Sequence, residues 1–212
     1  MSKFLVVNTA SAAVEVALSN GNFIRDEDGR RASSALMPGV DDLLSGAGLT
    51  LHDLDYIACV SGPGSFTGIR IGVSSVRAIC YALGKPALPI NYLQSLAYND
   101  IADGSNRILC VTDASNGMAY IGEFDRNRRE ISPTKAVTEE EAISYADSYD
   151  GIVCADEKFS PKIKRAVPPP KDCSHLVRAA NELGGVAGDY NLLVPLYVRE
   201  SQAEQDLKKV NK

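Results

Sequence analysis

A glycine-rich segment between two apolar stretches constrains the fold of this chain more than any other feature. Residues 61–72 read Ser-Gly-Pro-Gly-Ser-Phe-Thr-Gly-Ile-Arg-Ile-Gly. The apolar run 56–60 before it is typical of a buried strand, and the periodic apolar positions at 69–83 after it are typical of a helix. Glycines at such a strand–turn–helix junction allow a sharp turn or the close approach of another backbone. No Gly-Lys-Ser/Thr follows them, so the segment is not a Walker loop.

The sequence therefore predicts either a contact surface or a simple tight turn at this point. Ser65 or Thr67 can cap the following helix. The density of glycine and the small residues of that helix favour the contact surface. We call the segment the glycine-rich loop, and it consists of Gly62, Pro63, Gly64, Ser65, Phe66, Thr67 and Gly68.

The composition limits both the partners and the location of the chain. Its 212 residues carry a formal net charge of −5, so no strongly basic nucleic-acid-binding face is expected. Any nucleic acid in its biology should meet a partner protein first. No apolar stretch reaches the length of a membrane span, and the N-terminus lacks the apolar region of a signal peptide. We expect a cytoplasmic protein without membrane contact, whose five cysteines are free thiols of the core.

A pattern of elements occurs twice along the chain. Residues 4–18 predict a buried strand, a small polar turn containing Ala-Ser and a second strand. Residues 107–124 repeat that order, which indicates one structural unit used in two halves. The apolar spacing of residues 34–47 predicts a helix in the first half, beside the helix 69–83.

Residues suited to catalysis are scarce in this sequence. The only two histidines, His52 and His175, do not form a metal-binding motif, and no serine lies in a G-x-S-x-G motif. An ATPase of the actin-like class would place an Asp at the end of the first strand of each half. Asn8 or Thr9 occupies the first of these positions, and Asp113 occupies the second. We therefore predict no catalytic residue, no metal and no cofactor.

The helix 69–83 has the composition of a packing surface between proteins. Many of its residues are small, and Arg70 and Arg77 lie seven residues apart on nearly one side of the helix. They can pair with acidic groups of a partner. For either arginine alone, a solvated surface charge is about as plausible an interpretation.

Three motifs together are similar to the TsaB (YeaZ) family. They are the glycine-rich loop continued to Gly72, the opening Phe-Leu-Val-Val-Asn-Thr-Ala-Ser at 4–11, and Pro-Leu-Tyr-Val-Arg at 195–199. The resemblance implies an α/β fold with two RNase H-like lobes of the actin/Hsp70/sugar-kinase (ASKHA) superfamily, in which mixed sheets are flanked by helices. It implies an N-terminal lobe at 1–103 that is completed by 192–212, and a smaller lobe at 104–191.

The same resemblance implies a function. In that family TsaB is the non-catalytic partner of TsaD in bacterial synthesis of N6-threonylcarbamoyladenosine at position 37 of tRNA, and TsaE is the ATPase of the system. The tRNA would be contacted indirectly, and a homodimer of the free chain stays open. A stand-alone ATPase or kinase is the alternative. TsaB contacts TsaD, or itself, through helices of the first lobe, which predicts these partner-contacting residues: Leu36, Val40, Leu43, Ile69, Arg70, Gly72, Val73, Val76 and Arg77.

Overall fold

Five strands build the first sheet of the computed structural model, which describes residues 2–27 and 31–199. The strands are β1 (Phe4–Asn8), β2 (Val14–Leu18), β3 (Phe23–Asp26), β4 (Tyr56–Gly62) and β5 (Ala87–Asn91), in the spatial order β3-β2-β1-β4-β5. β1 pairs antiparallel with β2 and parallel with β4. Every residue of β1, β2 and β4 is buried, as expected for strands covered on both faces.

The second sheet has the same topology as the first. Its strands are β6 (Arg107–Asp113), β7 (Met118–Asp125), β8 (Glu130–Thr138), β9 (Ile152–Ala155) and β10 (Ala166–Val167), in the order β10-β9-β6-β7-β8. β6 pairs antiparallel with β7 and parallel with β9, just as β1 pairs with β2 and β4. The duplicated unit predicted from the sequence is confirmed.

Among the described residues, the α-helices are α1 (Ala32–Gly46), α2 (Phe66–Leu83), α3 (Tyr92–Ala97), α4 (Glu139–Ser148) and α5 (Ser174–Leu183). Short 3-10 helices lie at Leu51–Asp53, Asp100–Ala102, Gly184–Val186 and Tyr190–Leu192. α2 begins three residues earlier than its apolar pattern predicts, because the Ser65 hydroxyl accepts a hydrogen bond from the Gly68 amide and caps the helix there. It ends at Gly84, whose left-handed backbone (φ 61°) stops the helix.

A continuous apolar core joins the two sheets. α3 lies between them and contacts β4 and β5 on one side and β6, β7 and β9 on the other. Leu93 and Leu96 of α3 share one cluster with Ile108, Phe124 and Cys154 of the second sheet. A separate, smaller core lies under α4 on the outer face of the second sheet. The two sheets are therefore in contact through packed side chains.

α5 packs on the first sheet, against β1, β2 and β5. The sequence-based division put residues 174–183 with the second lobe, so this packing favours moving the helix to the first. The division itself stays a prediction, and residues 200–212 of the predicted C-terminal segment lie outside the described residues.

The five cysteines, among the described residues, are buried free thiols, in agreement with the prediction from their spacing. Within the same residues, no helix is long and apolar enough to cross a lipid bilayer.

Candidate functional site

The glycine-rich loop is packed against backbone of its own chain. The Ser65 amide donates a hydrogen bond to the Ala10 carbonyl (2.8 Å), and the Thr9 hydroxyl donates one to the Gly68 carbonyl (2.7 Å). A Cβ atom on Gly68 would overlap the Thr9 carbonyl oxygen, so glycine is required here for close approach. The loop thus holds the turn between β1 and β2 against the start of α2.

The other side of the loop is covered by residues 188–199, which we call the C-terminal strap. The Leu196 amide donates to the Ser61 carbonyl (2.8 Å), and a Cβ on Gly62 would come within 2.5 Å of the Leu196 carbonyl oxygen. Tyr197 stacks on Phe66 with 4.6 Å between ring centroids. The Tyr197 hydroxyl accepts a hydrogen bond from Nε of Arg70 (2.9 Å). The strap and the loop are therefore one packed unit, which the sequence indicated only as two separate motifs.

Most of the predicted partner-contacting side chains lie inside the chain. Leu36, Val40, Leu43, Ile69, Val73 and Val76 are at most 6% exposed and pack in the core. Gly72 is also buried, and a Cβ there would overlap the Thr9 hydroxyl. These seven residues face the sheet beneath the helices, because the apolar stripe of a surface helix is used first to cover its own sheet. Contact of a partner with the two helices stays a prediction.

The outer face of α2 carries a different set of residues. Arg70, Ser74, Ala78 and Tyr81 are exposed there at spacings of three and four, and Arg77 is half-buried beside them. α1 contacts α2 and exposes Met37 at 43%, at the edge of a groove of about 340 Å³. Small and apolar groups on two neighbouring helices form a surface that another helix can approach closely. We call Met37, Arg70, Ser74, Ala78 and Tyr81 the helix surface.

A cleft of about 360 Å³ lies where the two sheets meet, beside the β1–β2 turn. It is lined by Ala10, Ser11, Ala12, Arg25, Ser65, Tyr92, Thr112, Asp113, Ser115, Asp156, Glu157, Lys158 and Pro169. Asp113 is at the end of β6, the position in the second sheet that Asn8 occupies at the end of β1. The turn that follows β1 and the end of β6 therefore line the same cleft, with Asp113 in its lining and Asn8 outside it.

The carboxylates of the cleft are already engaged by donors of this chain. Asp156 accepts hydrogen bonds from the Thr112 hydroxyl and from the amides of Asp113, Lys158 and Phe159, at 2.7 to 3.0 Å. Asp113 pairs with the Lys158 ammonium at 2.6 Å, and this hydrogen bond raises the pKa of Lys158. Within the described ranges, no three His, Cys, Asp or Glu side chains form a group suited to a metal ion.

A buried charge lies under the cleft. Glu15 of β2 is 2% exposed and pairs with Arg25 of β3. Its second carboxylate oxygen accepts a hydrogen bond from the side-chain amide of Asn8 (2.6 Å). Burial raises the pKa of Glu15, although Arg25 opposes the shift. Arg25 also pairs with Glu157, which follows β9 of the second sheet. Asn8, in place of a carboxylate, thus serves to orient Glu15.

His175 is a buried residue in the first turn of α5. It is 1% exposed on α5, and neither ring nitrogen finds a hydrogen-bond partner among the described residues. Burial, assisted by the nearby Arg25, lowers its pKa to about 3. The pattern did contain a clue, because His175 lies four residues before the buried Ala179, on the apolar stripe of the helix.

Comparison with known proteins identifies the family. The model of the TsaD family, described as tRNA N6-adenosine threonylcarbamoyltransferase, matches residues 15–173. A protein of Escherichia coli named tRNA threonylcarbamoyladenosine biosynthesis protein TsaB is 30% identical over 66% of this chain and 64% of its own length. The chain belongs to the TsaB (YeaZ) family. The resemblance stated from the sequence motifs is confirmed.

Two further relatives extend the match along the chain. An uncharacterised protein of Mycobacterium tuberculosis is 29% identical over 96% of this chain and 95% of its own length. A crystal structure of YeaZ from Pseudomonas aeruginosa is 25% identical, with a TM-score of 0.72 over 93% of this chain and all of that one. The predicted α/β fold class, two mixed sheets flanked by helices, is confirmed.

Proposed function

We propose that this family member is the non-catalytic partner that binds and activates a TsaD-type transferase in the synthesis of N6-threonylcarbamoyladenosine at position 37 of tRNA, in the cytoplasm and together with TsaE. Two comparisons support the pathway. The E. coli relative is named for this biosynthesis, and the matching family model is named for the transferase. Since the chain spans 64% of that E. coli protein, the partners are part of the proposal.

The hydrogen bonds and ion pairs of the cleft carboxylates support the proposal that this chain is not catalytic. An ATPase or kinase needs free carboxylates to organise magnesium and the attacking group. Here Asp156 is saturated by four donors, and Asp113 is neutralised by Lys158. Asn8 is uncharged and holds Glu15. Each cleft acid therefore has a structural role that its use in catalysis would disturb.

The helix surface is the proposed docking site for TsaD. The partner belongs to the same larger family, so helices of similar shape can pack side by side. Residues of the helix surface replace the buried members of the sequence-based set as the expected contacts, and Arg70 belongs to both. Self-association through the same face is the expected state when TsaD is absent.

Co-purification tests the docking site. Ala78→Glu puts a charge at an exposed position of α2 and should abolish co-purification with TsaD, because the charge would be buried against the partner helix. Ser144→Glu is the matched control, since Ser144 is exposed on α4 of the other lobe. Retention of TsaD by Ala78→Glu at the level of the control would contradict the assigned face.

Reconstitution separates the scaffold from the enzyme. Purified TsaD and TsaE, supplied with a threonylcarbamoyl donor, should modify tRNA only when this chain is added. The chain alone should not turn over ATP. The alternative, a stand-alone ATPase or kinase, requires hydrolysis by the single protein that is lost in Asp113→Ala. Such hydrolysis would overturn the proposed role.

A further inference from the structure

Ion pairs connect the two lobes at two separate places, around Asp103 and between Arg25 and Glu157. Asp103 lies just before β6, where the chain passes from the first sheet to the second. Arg178 of α5 donates to both oxygens of Asp103 (2.9 and 3.1 Å), and Arg128 of the β7–β8 turn donates to one of them (2.6 Å). One carboxylate is thus held by an arginine from the helix on the first sheet and by one from the second sheet.

Arg128 is built for this contact. It is 6% exposed and lies in the β7–β8 turn with a left-handed backbone (φ 61°). Its carbonyl accepts a hydrogen bond from Gln94 of α3 (2.9 Å), and its guanidinium lies 5.7 Å from the centre of the Tyr98 ring. These contacts hold Arg128 in the position from which it donates to Asp103.

A second ion pair lines the cleft, whereas the Asp103 cluster lines a different pocket. Arg25 of β3, whose side chain is 7% exposed, reaches Glu157, which follows β9 in the second lobe. Arg25 is held at the same time by the buried Glu15. Neither of these two groups takes part in the helix surface.

Ion pairs and apolar contacts have different roles at such a junction. Hydrophobic contact is non-directional, so the core around α3 holds the sheets together without setting one angle between them. Arginine–carboxylate pairs have a defined geometry and do set an angle. We propose that the Asp103 cluster and the Arg25–Glu157 pair fix the angle between the two lobes, so that the chain is one rigid body whose cleft does not open or close on a ligand.

Distance measurement between spin labels tests this proposal. Cysteines introduced at Ser45 on α1 and Ser144 on α4, both exposed, carry the labels, while the five native thiols are buried. The otherwise unaltered chain should give one narrow distance peak that Mg-ATP does not move. A broad or ligand-dependent distribution would overturn the proposal.

Two conservative substitutions remove the charges without removing the side chains. Asp103→Asn and Glu157→Gln act on carboxylates whose side chains are 54% and 39% exposed, so neither leaves a new cavity. In the double variant, we expect the fraction of molecules whose label-to-label distance lies outside the main peak to rise about tenfold, from about 1% to about 10%. Asp41→Asn, on the exposed side of α1, is the matched control and should not change the distribution.

Thermal melting decides how the result is interpreted. An unchanged distribution in a double variant that melts cooperatively would refute the role of the ion pairs. Should that variant fail to melt cooperatively, the labelled chain without these substitutions is measured in salt of about 1 M, which screens exposed charges. Broadening in high salt supports the proposal, and a distribution independent of salt overturns it.

Discussion

His175 gives the chain a strong and testable dependence of stability on pH. In the folded state burial lowers its pKa to about 3, from the ordinary histidine value of 6.5. Between these two values the unfolded chain binds a proton at this residue and the folded chain does not. Stability therefore rises with pH in this window, so it is fully present above about pH 6.5 and is lost as the pH falls toward about 3.

The size of the effect follows from the shift. Each pH unit below the unfolded pKa costs about 1.4 kcal/mol of unfolding free energy for one fully buried group. Acidification from about pH 6.5 to about pH 4 should thus remove about 3 kcal/mol through His175 alone. The unfolding free energy of a typical domain is only about 5–15 kcal/mol, so this loss is large. Glu15 acts in the opposite direction, because its raised pKa makes the folded chain bind a proton more readily than the unfolded chain.

The variant His175→Leu isolates this contribution. It keeps an apolar side chain of similar size and removes both unpartnered ring nitrogens. The unfolding free energy from urea titration, followed by circular dichroism, should fall less steeply in the variant by about 3 kcal/mol over that range. Glu15 is present in both proteins, so its effect cancels in the difference.

His52 provides the control, because it is exposed in the 3-10 helix after α1. His52→Gln should leave the pH dependence of the unmodified chain in place. Parallel curves for the unmodified chain and His175→Leu would refute the reasoning, and so would NMR signals of a protonated His175 imidazole at about pH 5 in the folded state.

Two further substitutions test the packing of the site. Gly72→Arg should lower the unfolding free energy by about 3 kcal/mol or more, because its Cβ would overlap the Thr9 hydroxyl and a charge would enter the core. The control Ala78→Glu, at an exposed position, should melt like the unmodified chain. Equal melting temperatures for Gly72→Arg and the unmodified chain would disprove the buried position of Gly72. Arg25→Met should cost about 3–5 kcal/mol in urea unfolding, because it leaves Glu15 buried without its cation, and adding Glu15→Gln should recover much of the loss; a double variant no more stable than the single one would contradict the pairing.

The sequence predicted the elements well where a hydrophobic period marks them. β1, β2 and β4 are continuous or alternating apolar runs, and both the duplicated unit and its turns could be inferred from them. β8 had no such pattern, because it is an edge strand with exposed residues and Pro133 in its middle. An edge strand buries few of its side chains, so its sequence has no clear alternation of apolar and polar residues.

The direction of the helix faces could not be predicted from one chain. The apolar period of α1 and α2 shows that one stripe of each helix is buried, but the period is the same whether a sheet or a partner covers it. Val40 and Val73 cover the first sheet, so any partner of these helices would contact the residues between the apolar stripes. Met37 and Ala78 are such residues, and no periodic pattern distinguishes them from ordinary solvated positions.

The glycine-rich loop shows that a motif for close approach does not identify the approaching group. Its glycines indicated close approach of a backbone, and that inference is correct. The approaching groups are Thr9, Ala10 and Leu196 of the same chain, which are remote in sequence and enter only through the fold. A small residue indicates that another group packs closely against it, but it does not indicate which group that is.

The charges of the cleft link this packing to function. For Asp113 to bind a cation it must first release the Lys158 ammonium, which the strand end holds at 2.6 Å. The released ammonium would then lie beside the incoming metal and repel it. Asp156 faces a similar obstacle, because turning toward a cation would leave the amides of Lys158 and Phe159 without their acceptor. Both acids thus stabilise the end of the second sheet, and a catalyst built from them would have to weaken the lobe that positions it.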